Sequence, residues 1–292
     1  MTAYADDLAA LTTTGPVSRR SVVAGATGLT AGFALSVQPV GAQTITTPAD
    51  GLEAGEVSIP TSSGNVPAYR AMPQGAGPFP VVLVVQEIFG VHEHIRDVCR
   101  RFAKLGHMAI APELYVRQGN VGQMTDMGAI VRDVVSKVPD AQVMSDLDAA
   151  VAFAKASGRG DTAKLGITGF CWGGRIVWLY AAHNPDLKAA VAWYGRVVGD
   201  KTANNPVQPI DLAAQLKAPV LGLYGAADTG IPVATVEQMK AACTAAGRTC
   251  EFQVYPDTPH AFHADYRPSY REGPAKDGWA RATAWLKSHG AG

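Results

Sequence analysis

The chain has 292 residues with 25 basic and 25 acidic side chains, so its formal net charge is zero. That balance excludes the basic face a nucleic-acid binder needs, and no stretch after residue 45 is apolar for long enough to span a bilayer. The length suits one α/β domain of about 250 residues behind a short leader.

Ser18-Arg19-Arg20-Ser21 opens an Ala- and Gly-rich stretch that runs to about Val40, where Val40-Gly41-Ala42 offers small residues for cleavage before Gln43. This is the pattern of a twin-arginine signal peptide over residues 1–42, and it predicts export of the folded protein to the periplasm or beyond. Residues 43–52 read as a flexible lead-in and 53–292 as a single domain. Gly55–Pro60 and Val66–Met72 flank a polar turn and predict an antiparallel hairpin. Pro80–Val85 is a continuous apolar run, as expected of a strand buried on both faces.

A helix over Ile95–Lys104, closed by Gly106, and a strand over Met108–Ala111 follow. Segment 117–127 is polar and weakly patterned, and Gln142–Ala156 is amphipathic at helical spacing. Strands are then expected at Lys164–Thr168, Ala189–Trp193, Val220–Leu223 and Phe252–Tyr255. Helices are expected at Arg175–Ala182, Val236–Ala246 and Gly278–Lys287. Strands alternating with helices predict an α/β fold, a mostly parallel sheet with helices on both faces.

Between the strand at 164–168 and its helix lies Gly169-Phe170-Cys171-Trp172-Gly173-Gly174. This is the layout of a nucleophile elbow, G-x-S-x-G with cysteine in the serine position. Glycines allow the tight strand-to-helix turn, and the helix N-terminus favours a thiolate at its apex. Ligands of such sheets sit beyond the carboxyl ends of the strands. The loops there supply Asp228, after Val220–Leu223, and His260, after the last strand. Nucleophile, acid, histidine is the chain order of α/β-hydrolases. His260 would take the thiol proton, and Asp228 would fix its tautomer. His263 competes with His260 for this role, and Asp257 with Asp228.

The strand at 80–85 runs into Gln86-Glu87-Ile88-Phe89-Gly90. A glutamate at the active end of a central strand is costly to bury without a partner. Together with the cysteine elbow, the Asp228 loop and the His260 loop, this segment resembles the dienelactone hydrolase (carboxymethylenebutenolidase) family over residues 53–288. The resemblance implies the α/β-hydrolase fold and ring opening of lactones or small esters through a thioester to Cys171, with no metal or organic cofactor. It implies that Glu87 holds the resting thiol neutral and that the amides of Ile88 and Trp172 form the oxyanion hole. A small-molecule substrate, a monomer or homodimer, and no stable membrane anchor go with it.

Dienelactone hydrolases hold a substrate carboxylate with arginines, one of them four residues after the catalytic histidine; here that residue is Ala264. Arg267 or Arg271 could replace it from the same loop, Arg117 or Arg132 could supply the other contact, and Phe89 and Tyr194 are expected to line the pocket. Another ester or thioester as substrate, or a binding protein on the same fold, are the other readings. His92 and His94 form an H-x-H pair with no third ligand at evident spacing, read as solvated residues or a pocket rim. Cys243 and Cys250, seven apart across Gly247, fit either a disulfide or two buried thiols.

Overall fold

The apolar strands assemble into one eight-stranded sheet in a computed structural model that describes residues 44–292. The expected signal peptide lies outside the described residues. The strands are β1 (Leu52–Thr61), β2 (Gly64–Pro73), β3 (Phe79–Val85), β4 (Met108–Pro112), β5 (Gly160–Phe170), β6 (Ala189–Trp193), β7 (Val220–Gly225) and β8 (Cys250–Tyr255). Their order in the sheet is β1-β2-β4-β3-β5-β6-β7-β8. β1, β2 and β4 pair antiparallel, and every pairing from β4 through β8 is parallel. This is the α/β-hydrolase architecture.

β3 and β5 are central, which explains the unbroken apolar run of Val81–Val85: all five side chains are fully buried. β5 starts earlier than expected, because Gly160 already pairs with Phe79 across a register shift near Pro80. Helices α1 (Glu93–Lys104) and α5 (Glu272–Ser288) meet one another where Phe102 packs on Trp279, covering one face. Helices α2 (Asp140–Ala156), α3 (Trp172–His183) and α4 (Val233–Ala245) lie on the other. α1 stops at Gly106, whose φ of +93° suits a glycine.

Segment 117–127 is more ordered than its polarity suggested. Asn120 caps a 3-10 turn at Val121–Gln123, and Asp126 caps a helical stretch that runs through a π turn to Lys137. The lead-in also differs from the flexible segment expected. Over residues 44–51 it is docked: Thr47 N donates to Asp97 Oδ1 at 2.5 Å, and Arg100 Nε donates to Thr47 O at 3.0 Å. The Cys243 and Cys250 thiols lie side by side and unbridged, sharing a hydrogen bond between α4 and β8.

Candidate active site

The sharp turn after β5 leaves Cys171 with φ 56° and ψ −117°, a strained conformation for a residue with a β-carbon. Tight packing holds it there. A β-carbon on Gly173 would come within 2.5 Å of the carbonyl oxygens of Val85 and Gln86. Gly174 and Gly195 are equally intolerant, because each backbone abuts the other. Arg175, one residue past the glycines, ties the start of α3 to α2. It donates to both oxygens of Asp140 at 2.7 and 2.8 Å and to Gln208 at 2.9 Å. The Cys171 amide donates to Trp193 O at 3.0 Å, and the residue is 3% exposed.

His260 and Asp228 come from the loops after β8 and β7. His260 Nδ1 lies 2.6 Å from Asp228 Oδ2, and both residues are buried. The other Asp228 oxygen accepts from the amides of Gly230 and Ile231 at 2.9 and 3.1 Å, so the carboxylate cannot rotate away. Burial disfavours a charged His260 ring. The Asp228 carboxylate and the Cys171 sulfur outweigh burial and raise its pKa well above the ordinary value. His260 Nε2 has no oxygen or nitrogen partner among the described residues, which leaves it available to the thiol.

The rivals fall away on geometry. His263 stacks between Phe170 and Trp279, and burial holds its pKa well below the ordinary range, so it is a core residue. Asp257 is exposed in a turn at φ 50°.

Glu87 is 1% exposed. Its Oε2 accepts from Tyr266 Oη at 2.6 Å and lies 3.2 Å from His92 Nε2, while Oε1 has no hydrogen-bond partner. Burial opposes the charge, but the His92 hydrogen bond and the charge that ring gains once protonated at acid pH, with His94 and Arg267, draw the carboxyl down to about 2. Burial also lowers the His92 pKa despite Glu87. At neutral pH the arrangement is therefore a carboxylate and a neutral imidazole with its proton on Nε2, a tautomer assigned from this contact. Burial, with the Glu87 charge, pushes the Tyr266 phenol well up, so it stays protonated and donates.

His92 does form a pocket rim, but His94 is not solvated. It is 1% exposed, and its Nδ1 lies 3.1 Å from Asp265 Oδ1. Among the described residues no three His, Cys, Asp or Glu side chains gather to hold a metal ion.

Of the expected substrate contacts, Phe89, Tyr194 and Arg267 share this region. The Arg267 guanidinium lies 5.5 Å over the Phe89 ring, and the Tyr194 ring packs edge-on to His260 at 5.0 Å. The other three arginines do not join them. Arg117 is occupied by a bidentate pair with Asp146, at 2.7 and 2.9 Å, and by Thr61. Arg132 is mostly solvent-exposed and pairs with its neighbour Asp133. Arg271 is exposed and bonded to nearby carbonyls. Ile88 lies in the turn that Glu87 and Gly90 close, and Trp172 begins α3, where its amide has no intrahelical acceptor.

The pattern of the dienelactone hydrolase family matches residues 66–290, which include Glu87, Cys171, Asp228 and His260. The chain belongs to the dienelactone hydrolase family. It is similar to a Methylorubrum extorquens protein named "putative carboxymethylenebutenolidase", with 67% identity over 99% of both chains. An Escherichia coli K12 protein of the same name is 55% identical, over 91% of this chain and 98% of its own. The crystal structure of a "putative dienelactone hydrolase" from Klebsiella pneumoniae superposes with a TM-score of 0.79 at 60% identity, covering 81% of this chain and 98% of that one. Family membership makes the protein a carboxylic ester hydrolase. Membership also frames what sequence reading missed: Tyr266 and His92 as holders of Glu87. Tyr266 gave one signal, since it lies six residues past His260 beside Arg267.

Proposed function

We propose that this hydrolase opens lactones or small esters through a covalent thioester on Cys171. The reading is carried by one observation: a strained cysteine at a glycine-packed elbow beside the 2.6 Å His260–Asp228 pair. Glu87 keeps the resting thiol neutral and takes its proton once substrate is bound. The Cys171 thiolate attacks the ester carbonyl, the carbon–sulfur bond forms, and the oxyanion is met by the Ile88 and Trp172 amides. Collapse breaks the ester carbon–oxygen bond, and the leaving oxygen takes a proton from imidazolium His260. Water, losing a proton to His260, then attacks the thioester and releases the acid and the thiolate.

A thiol kept neutral between turnovers also resists oxidation, which suits the periplasmic or secreted location read from Arg19 and Arg20. Arg267, stacked on Phe89, is the contact we assign to an acidic group on the substrate, the role that Ala264 cannot fill.

Turnover of p-nitrophenyl acetate by wild type and Cys171→Ala tests the mechanism. Loss of turnover in Cys171→Ala, with an acetyl adduct on wild-type Cys171 by mass spectrometry, is the expected result. Retained turnover in Cys171→Ala would sink it.

A further inference from the structure

The two donors to Glu87 come from opposite ends of the chain. Tyr266 is 179 residues from Glu87 and follows the catalytic histidine, while His92 is five residues away, just before α1. Both reach the same oxygen, Oε2, and leave Oε1 without a partner in a buried setting. A carboxylate so held is fixed in direction and weakened as a base. Both effects suit a resting state and not a proton transfer.

The His92 ring has a second face. Its side chain is 22% exposed, and it lines a cavity of about 570 Å³ with Phe89, Val91, Glu113, Asn120 and Val121. The ring therefore stands between that cavity and Glu87. The cavity wall is mixed in character. Phe89, Val91 and Val121 are apolar, whereas Glu113 spends one oxygen on the Val91 amide at 3.1 Å. Arg96, the cation on this wall, already pairs with Glu56 at 2.8 Å. Such a wall accepts a neutral, partly apolar group with a hydroxyl that can donate to Glu113. It does not favour a carboxylate.

We infer that His92 and Tyr266 are positioning residues that latch Glu87 in its resting pose, and that a neutral substrate group entering this cavity releases the latch by drawing His92 away. The inference rests on the thiol mechanism above and deepens it. Once either donor is lost, Glu87 can turn toward the thiol with a more basic oxygen, and the thiolate fraction of resting Cys171 rises.

Iodoacetamide alkylation of Cys171 in the substrate-free enzyme reads that fraction without using turnover. Tyr266→Phe and His92→Ala should each speed alkylation about tenfold, the size of one lost hydrogen bond to a charged group. His92→Gln retains a donor and should stay within about twofold of wild type. A merely structural role would not show this rescue. Benzyl alcohol, a neutral probe with one hydroxyl, should accelerate wild-type alkylation, and benzoate should not. Val121→Trp fills the cavity away from the reacting atoms and should abolish the benzyl alcohol effect.

Wild-type alkylation rates in both Tyr266→Phe and His92→Ala would overturn the latch. An equal benzyl alcohol effect in Val121→Trp would overturn the cavity's part in it. Failure of the thiol mechanism itself is seen separately, as turnover by Cys171→Ala.

Discussion

The site holds two buried ionisable groups, His260 and Glu87, and the two are built in opposite ways. On one side His260 is gripped by an anion, Asp228, whose own orientation is fixed by the Gly230 and Ile231 amides. On the other, Glu87 is held by two donors that carry no formal charge at neutral pH, Tyr266 and His92. The first environment raises the histidine's pKa, and the second lowers the carboxyl's. An acid–base pair pushed apart in this way can hold one proton in different places at different stages of a reaction. The difference also separates permanence from release: an ion pair locked by backbone amides is made to stay, whereas two neutral donors on separate loops can let go.

The largest effect should come from breaking the permanent side. Asp228→Asn removes the anion that sets the His260 tautomer and should lower kcat by on the order of 10⁴-fold. Turnover measures it, and NMR titration should show the His260 pKa falling.

Next in size is the rigid platform beneath both sides. Gly174→Ala forces a β-carbon to 2.5 Å from Trp193 O and should cost several kcal/mol, on the order of 4 or more. A denaturant melt would read this as a large drop in midpoint.

The pH dependence of stability then distinguishes the two clusters. Glu87, drawn from 4.5 to about 2, contributes stability that is present above pH 4.5 and is lost as pH falls toward 2. Its share is about 3 kcal/mol, and Glu87→Gln should flatten that acid limb of the Tm–pH curve. His260 has a raised pKa, so its contribution is full below its unfolded value and fades as pH rises through the folded one. Asp228→Asn should weaken that alkaline limb.

The smallest effect is expected at Arg132. It touches neither cluster, so Arg132→Ala should leave both the melting temperature and KM unchanged.

Much of this was legible in the sequence, for local reasons. A strand buried on both faces must read as Val81–Val85 does, and a turn as tight as that at Cys171 must be flanked by glycines. Both signals lie within a few consecutive residues. The partner of a charge is a different kind of fact. Nothing near Arg117 announces Asp146, 29 residues away, and nothing near Glu87 announces Tyr266. Arginines were therefore expected in the pocket from the family resemblance, and Arg117, Arg132 and Arg271 proved to be structural or solvated. His94 misled for the opposite reason, since a histidine among charged residues looks solvated until Asp265 arrives from a distant loop. The helical turns after Asn120 escaped detection because short capped turns and a π turn follow no steady period.

The docking of Thr47 ties the first described residues to the surroundings of Glu87. Asp97, which receives Thr47, also holds Arg101, and Arg101 holds Asp265, the partner of His94 behind Glu87. The segment ahead of β1 thus terminates a relay of hydrogen bonds and ion pairs that ends at His94, near Glu87. Loss of residues 44–47 would uncover Asp97 and free the far end of that relay.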